Sequence, residues 1–113
     1  MSKGADILYK IICKILPGRK IKKEYLIDGK MRIDFFIPEL KLGIEYDGRQ
    51  HDEFVKHFHK SASGFLEAKM RDKLKSGFCE NNGISLIRFS HDEELTEELV
   101  RSKIMEILNR NDT

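Results

Sequence analysis

The sequence predicts an α/β (α+β) fold of element order αβββαβα, with a central mixed four-stranded sheet flanked by helices. Three observations predict it. Apolar residues recur at helical spacing near both ends of the chain. Between Lys20 and Tyr46, three short extended runs are separated by turn residues. A helical stretch then leads into ISLIRF, Ile84 to Phe89, a short apolar strand. A strand meander followed by a helix and one further strand implies a sheet of both parallel and antiparallel pairs.

Each element has a local cause. Ser2 is placed to cap a first helix running to about Leu16, whose buried stripe is Ile7, Leu8, Ile11, Ile12, Ile15 and Leu16. Pro17-Gly18 ends it. A strand from about Lys20 to Ile27 meets Asp28-Gly29, the dipeptide favoured in a two-residue hairpin turn. The second strand covers Met31 to Ile37, Pro38 to Lys41 turn, and Leu42 to Tyr46 form the third. From His51 to Gly64 the chain is polar and reads as a loop, with a short helical piece around Phe54 to Phe58. A second helix, about Phe65 to Asn81, carries Leu66, Met70, Leu74 and Phe78 and stops at Gly83. After ISLIRF, a last helix from about Thr96 to Asn109 buries Leu99, Val100, Ile104, Ile107 and Leu108.

With 113 residues the chain is expected to form one domain, residues 1–113. Hydrophobic residues at 40% and charged residues at 35% exclude a disordered composition. No apolar run approaches the roughly 20 residues of a membrane span, and ILYKIICKIL is broken by lysines in the manner of a surface helix rather than a leader. Cys13 and Cys79 are isolated, which points to free thiols in a reducing, cytoplasmic compartment. The net charge of +2 is small, but GRKIKK (Gly18 to Lys23) and AKMRDKLK (Ala68 to Lys75) concentrate basic residues as a phosphate-facing surface does. A solvated charged face accounts for either run equally well.

The stretch IDFFIPELKLGIEYDGRQH, Ile33 to His51, carries the chemistry. With Pro38 to Lys41 as the turn, Ile37 faces Leu42, Asp34 faces Glu45, and Arg32 faces Asp47. Strand alternation then puts all four charged side chains on one face. Carboxylates directly opposed, with Cβ atoms about 4.5–5.5 Å apart, repel unless something positive lies between them. Two readings stay open: a salt-bridge network through Arg32, with Lys23 placed opposite Asp34 by the Asp28-Gly29 turn, or a divalent cation. Hard oxygen ligands on adjacent strands suit Mg²⁺, which takes one or two carboxylates and keeps waters for substrate phosphates.

RIDFFIPELKLGIEYDGRQH, followed by MRDKLKSGFCENNGISLIRF (Met70 to Phe89), resembles the PD-(D/E)XK nuclease superfamily. The likeness is to the branch of very-short-patch-repair endonucleases and EDxHD homing endonucleases, and covers about Lys20 to Phe89. It implies a restriction-endonuclease-like core and Mg²⁺- or Mn²⁺-dependent hydrolysis of DNA, in a bacterial or phage-infected cell. Asp34 matches the metal-binding aspartate and Glu45 the acidic residue of the second motif. Asp47 falls where the superfamily usually has lysine, and would be a further metal ligand or orient the attacking water. His51 matches the histidine after the glycine, and its ordinary pKa of about 6.5 suits proton transfer. Asp6 lies beside the place, held here by Ala5, where many members carry a glutamate. With the motif lysine missing, the charge-stabilising cation falls to Lys69 and Lys73 on the second helix, with Arg71 and Lys23 as further candidates. Lys20, Lys22, Lys23, Lys60 and Arg71 are the expected DNA-backbone contacts. Specificity would come from loops, a homodimer or a partner protein. The competing reading is a nucleic-acid-binding module that keeps a nuclease fold without catalysis.

Overall fold

The computed structural model describes residues 2–48 and 58–111, with side chains from residue 64 onward in the second part except 65 and 111. Among these residues the order is α1 (Lys3–Ile15), β1 (Lys22–Ile27), β2 (Met31–Ile37), a 3₁₀ turn (Pro38–Leu40), β3 (Leu42–Asp47), α2 (Phe58–Asn81), β4 (Ser85–Ser90) and α3 (Glu97–Asn111). The chain is thus a mixed α+β fold with three helices and a four-stranded sheet among the described residues, in the predicted order. Ser2 caps α1 by accepting the Ala5 N–H at 3.2 Å, satisfying one of the donors a helix start leaves open.

The strands lie in the order β1-β2-β3-β4. The first three form an antiparallel meander, and β4 runs parallel to β3 after the α2 crossover. Proline at the start of the 3₁₀ turn and Lys41 in the left-handed region (φ 48°) reverse the chain. Ile37 pairs with Leu42 as predicted.

The first hairpin departs from its prediction by one residue. Asp28 and Gly29 both take positive φ, 50° and 71°, and the Lys30 N–H donates to the Ile27 carbonyl at 3.2 Å, so the dipeptide forms its tight turn. Lys30 is then left over, and Ile27 pairs with Met31. Slipping one residue changes every facing pair. Lys23 sits across from Phe35, not Asp34, and its ammonium lies 3.8 Å from the centroid of the Tyr9 ring. Glu24, with φ 48°, takes the register position opposite Asp34.

Two apolar layers sandwich the sheet. Ala5, Leu8 and Ile12 of α1 and Val100 and Ile104 of α3 pack on Phe35, Ile37, Leu42, Ile44, Ile87 and Phe89. Fully burying a side chain of this size is worth about 1.5–3 kcal/mol. Ile7, assigned to the buried stripe from sequence, is instead 41% exposed; it sits at the edge of the stripe, one position from Leu8. On the opposite face a smaller layer joins Ile27 and Ile33 to Cys79 and Phe78 of α2.

Helix α2 shows the largest departures. It begins at Phe58, inside the stretch read as loop. Gly64 had suggested a boundary, yet an interior glycine costs a helix only about 1 kcal/mol. Its apolar residues Leu66, Met70 and Leu74 are more than 60% exposed. The inward side is the one bearing Lys75 and Cys79. The expected loop at 51–57 and the helical piece from Phe54 lie outside the described residues.

One close contact fixes α1 on the sheet. A Cβ at Gly4 would collide with Cζ of Tyr46, so any side chain there forces that ring to move. An Ala in a helix ordinarily gains about 1 kcal/mol over Gly. Gly4→Ala is expected to lose about 1–3 kcal/mol instead, through overpacking, measured as a lower urea midpoint at unchanged slope.

Candidate functional site

Asp34 sits where β2 changes face. Ile33 packs in the layer with α2, whereas Phe35, two residues on, packs in the layer with α1. Residues at i and i+2 of a regular strand share a face, so the alternation breaks at Asp34. The ladder between β2 and β3 runs from Ile37–Leu42 to Phe35–Ile44; beyond it, the Asp34 carboxylate substitutes for a backbone acceptor. Its Oδ2 accepts the N–H of Tyr46 at 2.9 Å. That bond fastens Asp34 to the peptide following Glu45, so the two acids expected to face one another are held within one residue on neighbouring strands.

The break also disposes of the expected Arg32 network. Arg32 is exposed and pairs across β1 with Leu26. Because it neighbours Ile33, alternation turns it away from the face that Glu45 occupies.

Glu45 points to α2 and meets two cations there. Lys75 Nζ donates to Oε1 at 2.5 Å, and Arg88 Nε donates to Oε2 at 3.3 Å. Glu45 and Lys75 side chains are only 12% and 13% exposed, so this is a nearly buried, charge-assisted pair of the strong class. Arg88 is placed by the parallel register, directly beside Glu45 on β4. Its other donors reach Ser76 Oγ at 3.0 Å and the Asp72 carbonyl at 3.1 Å. One guanidinium thereby ties β3, β4 and α2 together around the carboxylate. Cys79, one turn beyond Lys75, has its thiol pKa pushed up, chiefly by burial and further by the Glu45 charge.

The remaining predicted site residues are distributed as follows. Asp47 ends β3 opposite Ser90, half-buried, and its carbonyl accepts the His91 N–H at 3.0 Å. Lys69, Arg71 and Lys73 are exposed on α2, away from the inward side that carries Lys75, so the cation beside Glu45 is Lys75 and not Lys69 or Lys73. Lys20, Lys22 and Lys23 are exposed near the start of β1, and Asp6 is exposed on α1. His51 lies outside the described residues, as does the Lys60 side chain.

Among the described residues no group of three His, Cys, Asp or Glu side chains gathers in a way that would hold a metal ion. The donor chemistry of Asp34 and Glu45 nevertheless fits Mg²⁺ or Mn²⁺, which need only one or two carboxylates. Each Glu45 oxygen gives one lone pair to a cationic donor and keeps another, since a carboxylate offers about four acceptor positions.

Fold and site together define a mixed α+β chain with an acid–cation cluster on the α2 face of its sheet. No protein-family model matches the chain, and no solved structure matches it. It is similar to viral proteins. Uncharacterized protein 307L of Invertebrate iridescent virus 6 is 46% identical over 57 residues, 50% of this chain and 29% of that protein. Uncharacterized protein 033L of Invertebrate iridescent virus 3 is 36% identical over 69 residues, 61% of this chain and 36% of that protein. Uncharacterized protein 094L of Frog virus 3 is 41% identical over 58 residues, 50% of this chain and 37% of that protein. The chain therefore spans about a third of the length of the curated relatives it matches. No helix among the described residues is long and apolar enough to cross a membrane.

Proposed function

We propose that this chain is a metal-dependent DNA endonuclease domain with a restriction-endonuclease-like core, acting on phosphodiester bonds. What supports the reading is the Asp34 carboxylate bonded to the Tyr46 N–H, the peptide next to Glu45, together with the Lys75 ammonium held against Glu45. The chemistry that Mg²⁺ or Mn²⁺ supplies when bound to such acids is polarisation of a phosphate and a lower pKa for water.

The chain's own residues have distinct tasks on this reading. Asp34 and Glu45 are the metal-holding pair, with Asp47 at the end of the same strand as a further oxygen donor or the group that orients the nucleophilic water. Lys75 has three ammonium donors; one is spent on Glu45, and the others are available to a phosphate whose charge grows in the transition state. Arg88 is a positioning residue, since it holds Glu45 and the α2 turn bearing Lys75 in one frame. His51 is the proton-transfer group. Lys20, Lys22, Lys23, Lys60 and Arg71 would supply salt-sensitive contacts to the DNA backbone.

One observation favours a second reading, the inert nucleic-acid-binding module. Glu45 already has two cations against it, which does the neutralising that a metal would otherwise do. The two readings separate in a paired experiment. On the first, saturating Mn²⁺ raises the melting temperature by about 3–8 °C, and the wild type nicks supercoiled plasmid. Asp34→Asn, whose amide oxygen can still accept the Tyr46 N–H, then loses both effects while keeping its metal-free melting temperature. No Mn²⁺ shift and no nicking by the wild type would refute the first reading and leave the second.

A further inference from the structure

An edge strand presents a row of N–H and C=O groups to which another strand can pair. Strands β1 and β4 are the two edges of this sheet. Edge β1 carries exposed Lys22 and Lys23 and the left-handed Glu24, charges and a kink that oppose pairing. Edge β4 has neither device. SLIRFS (Ser85 to Ser90) holds no proline, and its one charge, Arg88, is turned to Glu45. A short, apolar, nearly chargeless strand of this kind is the type that joins other chains when its edge is open.

Two side chains occupy that edge instead. The Ser85 N–H donates to the Lys41 carbonyl at 2.9 Å, and the His91 N–H to the Asp47 carbonyl at 3.0 Å. The peptide groups of residues 85, 87, 89 and 91 therefore face β3, while those of Leu86, Arg88 and Ser90 face outward. The Ser90 N–H donates to Glu93 Oε1 at 2.9 Å, and the Arg88 carbonyl accepts from Lys103 Nζ at 3.3 Å. Lys103 Nζ also donates to Glu93 Oε2 at 2.5 Å and lies 4.5 Å from the Phe89 ring centroid. One acid–base pair, Glu93 from the turn after β4 and Lys103 from α3, thus takes two consecutive outward groups of the strand. The hydrogen bond from Lys103 holds the Glu93 carboxyl below its ordinary pKa, so the carboxylate stays ionised at neutral pH.

We infer that the Glu93–Lys103 pair closes the β4 edge against a second copy of this chain, and that opening the pair lets two β4 strands join antiparallel. The partner follows from the edge itself. Outward donors and acceptors alternate along a strand, so two identical edges complement one another when a two-fold axis relates them. The pairing uses main-chain groups and leaves the side chains of β4 on their own faces of the sheet. Arg88 already has Glu45 against it, so two copies of that residue meet with their charges neutralised. The inference is independent of the nuclease reading, and its test contains no metal, no DNA and no cleavage step.

The test compares the wild type with Glu93→Ala/Lys103→Met, in which methionine keeps an apolar stem against Phe89. Sedimentation velocity and amide hydrogen exchange are run from about 10 μM to about 1 mM protein, which spans weak and moderate association. In the wild type, exchange at the Leu86 and Arg88 amides is expected not to depend on concentration. The double variant is expected to sediment as a dimer at the top of the range, with those two amides slowed about tenfold or more. Lys103→Arg keeps the charge and a donor for the Arg88 carbonyl, and should behave as the wild type. Lys103→Met alone opens one of the two groups and should associate more weakly than the double variant; its result decides the matter if the double variant does not fold. A folded variant that keeps the wild-type mass at about 1 mM would overturn the inference. So would association that leaves Leu86 and Arg88 exchange unchanged, or concentration-dependent slowing of those amides in the wild type. A lower melting temperature at unchanged mass would likewise overturn it, reducing the pair to a fastening between β4 and α3.

Discussion

Lys75→Met is expected to lower metal-dependent plasmid cleavage by about 10²–10³-fold, the usual loss when one preorganised donor to a developing negative charge is removed. Lys69→Ala and Lys73→Ala should leave it within about threefold. The contrast follows from where α2 directs its side chains. Lys69 and Lys73 are exposed, whereas the Lys75 ammonium is held 2.5 Å from Glu45 and is 87% covered. A surface lysine near DNA adds salt-dependent affinity, which excess substrate can mask. On the proposed function, a lysine fixed beside the metal-holding acid would act on the reacting phosphate, which excess substrate cannot mask. Rates are therefore to be compared at saturating plasmid and Mn²⁺, with the melting temperature of each variant as a folding control. Full activity in Lys75→Met, together with loss in Lys73→Ala, would return the role to the exposed lysine.

The difference between Lys75 and its neighbours is also where sequence reasoning reached its limit. The strands were readable because turn chemistry and alternation are local: Met31 to Ile37 was recovered residue for residue, and Pro38-Glu39-Leu40 set the β2–β3 register correctly. The first hairpin failed by one residue although its turn dipeptide was right, because nothing in Asp28-Gly29 says whether Lys30 joins the ladder or is left out of it. That slip moved Lys23 from Asp34 to Phe35. The helix failed for a different reason. Leu66, Met70 and Leu74 form an apolar stripe, and hydrophobic periodicity assigns such a stripe to the core. The sheet face that α2 covers here is partly polar, with Glu45 and Arg88 on it, so the helix turns Lys75 and Cys79 inward and leaves the leucines outside. A signal for this existed in Arg88, a charge inside the apolar run ISLIRF. An arginine inside an apolar strand calls for an acid beside it, and a strand parallel to β3 would put Glu45 there. The alternation break at Asp34, with left-handed Glu24 across the hairpin, had no counterpart in the sequence.

Glu45→Ala is expected to destabilise the protein by about 3–5 kcal/mol, the penalty for leaving a nearly buried charge without its partner. Here two cations lose their acid at once, and Lys75, with 13% of its side chain exposed, has little water to turn to. Urea unfolding at neutral pH should show the loss as a shift in midpoint. Glu45→Gln should cost less, since the amide oxygen still accepts one of the two donors. The more telling variant removes all three charges: Glu45→Leu with Lys75→Met and Arg88→Met. Replacing a buried ionic cluster by apolar residues of similar volume is often neutral or stabilising by 1–4 kcal/mol, so this triple variant should melt no lower than the wild type while having no cleavage activity. Recovered stability without activity would mean that the fold does not need these charges, and that the strand carries an acid at position 45 for what it does to a phosphate. If the triple variant instead unfolds as readily as Glu45→Ala, Arg88's bonds to Ser76 and the Asp72 carbonyl are what hold α2 to the sheet, and the cluster has a structural reason to exist without any chemistry.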